Sequence, residues 1–172
     1  MPEKTALILI DLYNDFLHPD GKATGKMAAS QEKYSTLEHI KVAMNEARAH
    51  QIPIYYSLHQ QYHDGKYDGF QHWNAMLEGT KAMRLFEVGS WGAQIYEGLE
   101  PDPANGDTVI SKHWNQRPAV VADIHSFQNT ELDWLLKQRE ITHVVFGGLL
   151  ANSCLEASAR YASELGYKIT ML

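Results

Sequence analysis

The sequence predicts a single-domain α/β fold: a mostly parallel open sheet with helices on both faces, in the Rossmann-like manner. Three observations predict it. Short β-branched or apolar runs alternate with helical patterns along the chain. No repeat, low-complexity tract or linker marks a second domain, so residues 1–172 read as one unit. With 172 residues, 44% of them hydrophobic, the chain has the length and apolar content of one well-filled core. Strand–helix–strand alternation of this kind gives parallel strands joined by right-handed crossovers.

Ala6-Leu7-Ile8-Leu9-Ile10 is an unbroken apolar run ending at Asp11, the pattern of a strand buried on both faces. A helix is expected over roughly Gln31 to His50, where Tyr34, Leu37, Ile40, Met44 and Ala47 recur at spacings of three and four. Ile52-Pro53-Ile54-Tyr55-Tyr56 reads as the second strand, with its proline near the start, where a missing donor does least harm. Thr108-Val109-Ile110 is a brief third strand after the turn-forming Asn105-Gly106-Asp107. Thr130 and Asp133 suggest a capping box for a helix carrying Leu132, Leu135 and Leu136. His143-Val144-Val145-Phe146 is the fourth strand, breaking at Gly147-Gly148. Ser153 and Glu156 suggest another capping box, for a helix closing at Gly166. Lys168 to Leu172 is the fifth strand. The sequence stops inside it, which predicts further residues beyond Leu172. Residues 57–107, rich in aromatics, His and Gly, are too long for a plain connection and are expected to form a lid or pocket wall.

Composition excludes several classes of function. Fifteen basic against 21 acidic residues leave a net charge of −6, the wrong balance for an electrostatic nucleic-acid binder. No apolar run reaches the length of a membrane span, and Met1-Pro2-Glu3-Lys4 does not begin a signal peptide. The expectation is a cytoplasmic protein with no nucleic-acid or membrane partner. One cysteine leaves no room for an internal disulfide or a CxxC pair. Neither Gly-x-Gly-x-x-Gly nor a phosphate-binding Gly-x-x-x-x-Gly-Lys is present, so no nucleotide cofactor is expected.

In an open parallel sheet, ligands bind beyond the carboxyl ends of the strands. Asp11 ends the first strand, Lys112 lies just past the third, and Cys154 lies between the fourth strand and its helix. Distant in sequence, they fall on one edge. A thiol in a helical first turn is favoured as thiolate by unpaired amides, and a nearby ammonium lowers its pKa further. The carboxylate would move the proton. Backbone donors around Leu150, Ala151 and Cys154 suit an oxyanion hole. Taken singly, each residue has a plainer explanation: an inert buried cysteine, a turn-forming aspartate, a solvated lysine. Only their joint placement argues for chemistry.

These residues resemble a known family. Asp11-Leu12-Tyr13-Asn14-Asp15-Phe16 after an apolar strand looks like the opening motif of the isochorismatase-like cysteine hydrolases. Gly148-Leu149-Leu150-Ala151-Asn152-Ser153-Cys154 resembles that family's nucleophile loop, and Glu156, Arg160, Tyr161, Glu164, Leu165, Gly166 and Tyr167 continue the match. Gly89-Ser90-Trp91-Gly92-Ala93, Gly106-Asp107 and Lys112 fit its middle. The resemblance implies Asp11 as general acid/base, Lys112 as thiolate-stabilising cation and Cys154 as nucleophile. It also implies a non-proline cis peptide at Leu150–Ala151 and a homo-oligomer, dimer or tetramer. The implied reaction is hydrolysis of a small-molecule amide through a thioester. True isochorismatases cleave a vinyl ether and lack the cysteine, so Cys154 points to the amidase-like branch. Ala151-Asn152 stands where many members have Thr-Asp, and residues 117–125 look like an insertion.

Zinc-dependent nicotinamidases of this family carry Asp-x-His after the second strand. Here the triplet is Ser57-Leu58-His59, and His59-Gln60-Gln61-Tyr62-His63 lacks a zincin glutamate, so no metal is expected. Tyr13 and Phe16 are candidates for the pocket floor, and His59, Trp91 and Trp114 for its lining. Tyr62, Phe70 and Trp73 are further candidates for its walls, and Trp134 reads as a packing residue. A metal-dependent amidase would reveal itself by stoichiometric zinc or iron. A non-catalytic small-molecule or partner-binding module on the same fold would show an unreactive thiol. A redox-sensing thiol lacks a resolving cysteine within the chain.

Overall fold

A computed structural model describes residues 4–112 and 125–172. Its elements, in order, are β1 (Thr5–Ile10), α1 (Asn14–Leu17), α2 (Ala28–Lys33), α3 (Thr36–Ala49), β2 (Ile54–Leu58) and α4 (Ala75–Met83). There follow β3 (Thr108–Ser111), α5 (Leu132–Gln138), β4 (His143–Gly148), α6 (Glu156–Glu164) and β5 (Lys168–Met171). The five strands form one sheet in the order β3-β2-β1-β4-β5. Every pair is parallel, with Leu9 opposite Tyr56 and Gly147, and Tyr56 opposite Val109. No helix among the described residues is long and apolar enough to cross a membrane.

The alternation of side chains along β1 divides the core in two. Leu7 and Leu9 pack with Ile40, Met44 and Ala47 of α3 on one face. Ala6, Ile8 and Ile10 pack with Leu132 and Leu136 of α5 and Ala159 and Ala162 of α6 on the other. Helices therefore cover both faces, and the central strand is apolar throughout because neither side meets water.

The boundaries depart from the sequence expectations in particular places. The single helix expected over 31–50 is two, α2 and α3, broken at Ser35, whose φ is 47°. Ile40, Met44 and Ala47 keep the inward face, while Tyr34 lies outside the register and is exposed. β2 begins at Ile54 rather than Ile52, because Pro53 is engaged only through its carbonyl, which accepts Leu7 N. The box expected from Ser153 and Glu156 does not form: Ala151–Leu155 is a π-helical turn with Ser153 at φ −140°, ψ −105°, and Glu156 pairs with Arg160 instead. Thr130 Oγ1 does accept Leu132 N at 3.3 Å, but Asp133 turns to Lys137 and Tyr167. Trp134, read as packing, stands 61% exposed on the outer side of α5.

Between β2 and β3, α4 packs Leu77 against Tyr62 and Tyr67, with Phe70, Trp73 and Met76 around them. This small separate core holds α4 beside the carboxyl edge of the sheet. Tyr62, Phe70 and Trp73 are spent on it.

Candidate active site

β1 delivers Asp11 to the carboxyl edge between β2 and β4. Its φ of 57° lies in the left-handed region, which costs a non-glycine residue about 1–2 kcal/mol. The bend is held by its own backbone: Asp11 N donates to Ser57 O at 3.1 Å, and Asp11 O accepts from Tyr13 N at 2.8 Å. Both carboxylate oxygens are engaged. Oδ1 accepts His59 N at 2.7 Å, and Oδ2 accepts Lys112 Nζ at 2.5 Å. Lys112 extends β3, its amide donating to Leu58 O at 2.8 Å. Neither side chain reaches solvent, so this is an ion pair in a low-dielectric setting.

Cys154 arrives from β4 through a tight turn. Gly148 has φ 112°, and a Cβ there would lie 2.3 Å from Ile10 O, so only glycine lets β4 run this close to β1. Leu149 N still pairs with Ile10 O at 3.0 Å, and the cis peptide follows at Leu149–Leu150. That is one residue earlier than the expected Leu150–Ala151, because strand pairing ends at Leu149 and the chain reverses at once. The Leu150 carbonyl accepts both Ser153 N and Leu155 N, which removes those amides as anion donors. The buried Cys154 thiol lies within hydrogen-bonding reach of Asp11 and Lys112. The three residues expected at three strand ends thus meet.

Their electrostatics differ from the sequence expectation. Burial pushes the Cys154 thiol up to about 11; Lys112 pulls it down, and Asp11 pushes it further up. A thiolate was expected from a helical first turn, but Cys154 sits in the π turn before α6, and burial outweighs the cation. Lys112 would be lowered by burial, yet Asp11 and then Cys154 more than compensate, leaving it raised and charged. Burial lowers His59 to about 4, with Asp11 opposing and Lys112 assisting, so the imidazole is neutral at pH 7. Its Nδ1 lies 2.8 Å from Gln60 O, and a carbonyl only accepts, so Nδ1 carries the proton.

Asp11, His59, Leu150 and Cys154 line a cavity of about 190 Å³ whose other walls are largely apolar: Phe16, Met27, Met76, Met83, Leu85 and Phe86. Phe86, at φ 53°, stacks on Tyr13 at 4.7 Å and meets Phe16 edge-on at 4.8 Å. Its amide donates to Asp15 Oδ2 at 2.8 Å, and Asp15 Oδ1 accepts Lys22 N. A Cβ on Gly92 would fall 2.3 Å from Asp15 Oδ1, so glycine there admits the carboxylate.

Phe16 and His59 line the cavity as expected from the sequence. Tyr13 stands one layer behind, its hydroxyl donating to His59 O at 2.6 Å, and burial raises its pKa. Trp91 is a correction: it is 45% exposed, edge-on to His18 at 4.7 Å, and does not line the cavity, since Gly92 beside it is drawn onto Asp15 instead. Trp114 and positions 117–124 of the apparent insertion lie outside the described residues; His125, its last, stacks on Tyr161 at 4.1 Å. The sequence reading missed Met27, Met76, Met83, Leu85 and Phe86. Met76 and Met83, seven apart on α4 with Gly79 and Thr80 between them, form one helical stripe that was there to be read. In place of a ligand carboxylate, the Ser57 hydroxyl donates to Ser126 Oγ at 2.7 Å, and among the described residues no three His, Cys, Asp or Glu side chains are arranged to hold a metal ion.

Comparison with known proteins gives a consistent picture. The model of the isochorismatase domain matches residues 5–172. Ureidoacrylate amidohydrolase RutB of Agrobacterium fabrum is 27% identical over 182 residues, spanning 99% of this chain and 75% of that protein. An isochorismatase family protein from Desulfovibrio vulgaris superposes with a TM-score of 0.74 at 25% identity, covering 99% of this chain and 80% of the other. N-carbamoylsarcosine amidase from Thermoplasma acidophilum shares the fold at a TM-score of 0.65 and 22% identity, covering 98% and 81%.

Proposed function

This chain belongs to the isochorismatase domain family, and from that premise we propose that it is a cysteine-dependent hydrolase cleaving the C–N bond of a small-molecule amide. The observation that carries the reading is the meeting of Asp11, Lys112 and Cys154 at the edge of one apolar cavity. A cavity of about 190 Å³ takes an acyl group on the scale of a single ring; an apolar cavity of about 150 Å³ holds benzene. RutB, the amidohydrolase relative, supports an amide as the bond cleaved.

The reaction follows from the charge states. Cys154 rests as a neutral thiol, so attack on the carbonyl requires a base, and Asp11 is within reach of its proton. As the S–C bond forms, the proton passes to Asp11 and the carbonyl oxygen becomes an oxyanion, for which the amides of Ala151 and Cys154 are the candidate donors. Asp11 then protonates the departing amine as the C–N bond breaks, leaving a thioester. Water attacks the thioester while giving its proton to Asp11, and the sulfur leaves and recovers that proton. Lys112 stays charged throughout, holding Asp11 in place and stabilising negative charge on sulfur.

The test is Cys154→Ala, assayed against a panel of small amides by release of ammonia or amine. Turnover is expected to vanish while the thermal unfolding midpoint stays near that of the parent. An alanine variant that still hydrolyses the same amides refutes the mechanism.

A further inference from the structure

Three serine hydroxyls, none exposed, form a continuous chain beneath the site. Ser57 on β2 donates to Ser126 Oγ at 2.7 Å, Ser126 and Ser158 hydroxyls lie 2.9 Å apart, and Ser158 Oγ donates to Cys154 O at 2.6 Å. The direction of the whole chain is fixed from its far end. A carbonyl only accepts, so the single proton of Ser158 is committed to Cys154 O. Ser126 must therefore donate to Ser158, and Ser57 to Ser126. Ser158 Oγ also accepts Ser126 N at 3.0 Å, which fills both its lone pairs. At the near end, Ser57 O accepts the amide of Asp11. An unbroken path of hydrogen bonds thus joins the backbone of the carboxylate residue to that of the thiol residue.

Packing does not require these hydroxyls. Phe127, Leu155 and Ala159, close to them in sequence, belong to the core, where three alanines would fill nearly the same space; removing the three hydroxyls together leaves one buried donor, the Ser126 amide, without its partner. What alanine cannot supply is direction. The Cys154 carbonyl lies where the π turn gives way to α6, and a serine hydroxyl bonded back to the i−4 carbonyl bends a helix at that point.

We propose that Ser57, Ser126 and Ser158 are positioning residues that set the Cys154 backbone, and so its thiol, relative to Asp11. The inference rests on the cysteine-hydrolase reading above. It is tested with p-nitrophenyl acetate, following the burst of p-nitrophenolate as Cys154 is acylated, alongside thermal unfolding. Wild type should give a burst that Cys154→Ala lacks; no cysteine-dependent burst overturns the reading and this inference with it. Ser126→Ala orphans the Ser57 donor and should lower both stability and the acylation rate. The triple variant Ser57→Ala, Ser126→Ala, Ser158→Ala leaves the Ser126 amide without Ser158 Oγ, so it should fold with a lowered melting midpoint and acylate about tenfold to a hundredfold more slowly, with half-saturation unchanged. If the folded triple variant acylates at the wild-type rate, the serines only pack, and the inference falls while the reading stands. Should the triple variant fail to fold, Ser57→Ala gives the same readout, since it leaves no donor unpaired.

Discussion

Replacing Asp11 with asparagine is expected to make Cys154 more reactive toward an alkylating agent while ending hydrolysis. The resting thiol, at about 11, owes part of its rise to Asp11, acting against Lys112. At pH 8 such a thiol is ionised to about one part in a thousand, whereas an ordinary thiol near 8.5 is about a quarter ionised. Wild type should therefore alkylate about 200-fold more slowly than a free thiol, before any loss from poor access. Asparagine keeps the shape and removes the negative charge, so Lys112 turns to the thiolate as its counter-charge. Opposite charges about 4 Å apart at an effective dielectric of about 20 interact by about 4 kcal/mol. Releasing even a third of that gives about a tenfold gain in rate. The same change costs stability, because the NH2 that replaces one carboxylate oxygen only donates and cannot accept from His59 N or Lys112 Nζ. The assay is the iodoacetamide labelling rate between pH 6 and 10, read by intact mass with unfolding followed in parallel. Up to about pH 9 wild type should rise about tenfold per pH unit with no plateau, and the variant should run parallel and about tenfold higher. A wild-type plateau below pH 8, or a variant slower than wild type, refutes the electrostatic reasoning. Normal turnover in the variant removes Asp11 from the mechanism.

Other outcomes follow from the same geometry. His59 has a folded pKa of about 4 against 6.5 unperturbed, so the unfolded chain binds a proton that the folded one refuses. Stability is then complete above about 6.5 and falls by about 3 kcal/mol as the pH drops to 4. Urea unfolding at both ends of that window should show the loss, and His59→Gln should flatten it. Gly148→Ala, with its Cβ 2.3 Å from Ile10 O at φ 112°, should cost at least about 2 kcal/mol and lower the melting midpoint; an unchanged midpoint contradicts the close strand contact. Asp15→Ala frees the amides of Phe86 and Lys22, so the half-saturation for p-nitrophenyl acetate should rise more than the acylation rate falls.

The sheet was legible because burial on both faces writes itself as continuous apolar runs, in β1 above all. Asp11, Lys112 and Cys154 could be placed together because parallel topology sends every strand's carboxyl end to one edge. What periodicity cannot carry is a local backbone exception. The break at Ser35 interrupts a pattern whose spacing continues across it, and a π turn shifts Cys154 out of the expected first helical turn. The thiol's pKa is not legible for a related reason: a motif names the neighbouring charges but not the depth of burial that outweighs them. Aromatics are the conspicuous candidates for pocket walls in a sequence. Trp91 faces outward, and methionines of α4, less conspicuous, line the cavity.

The Asp11–Lys112 contact bridges 101 positions of chain. Local structure alone cannot create it, because β1, β2 and β3 must already be paired before the two side chains are neighbours, and β4 must join before the thiol arrives. Closing loops of that length is slow, and its entropy is lost before any contact is gained. Catalytic competence in this chain is therefore an all-or-none property that appears last. Until the sheet is assembled, Asp11 and Lys112 are not beside the thiol, so the onset of hydrolysis and the disappearance of thiol labelling should keep the same time course during refolding.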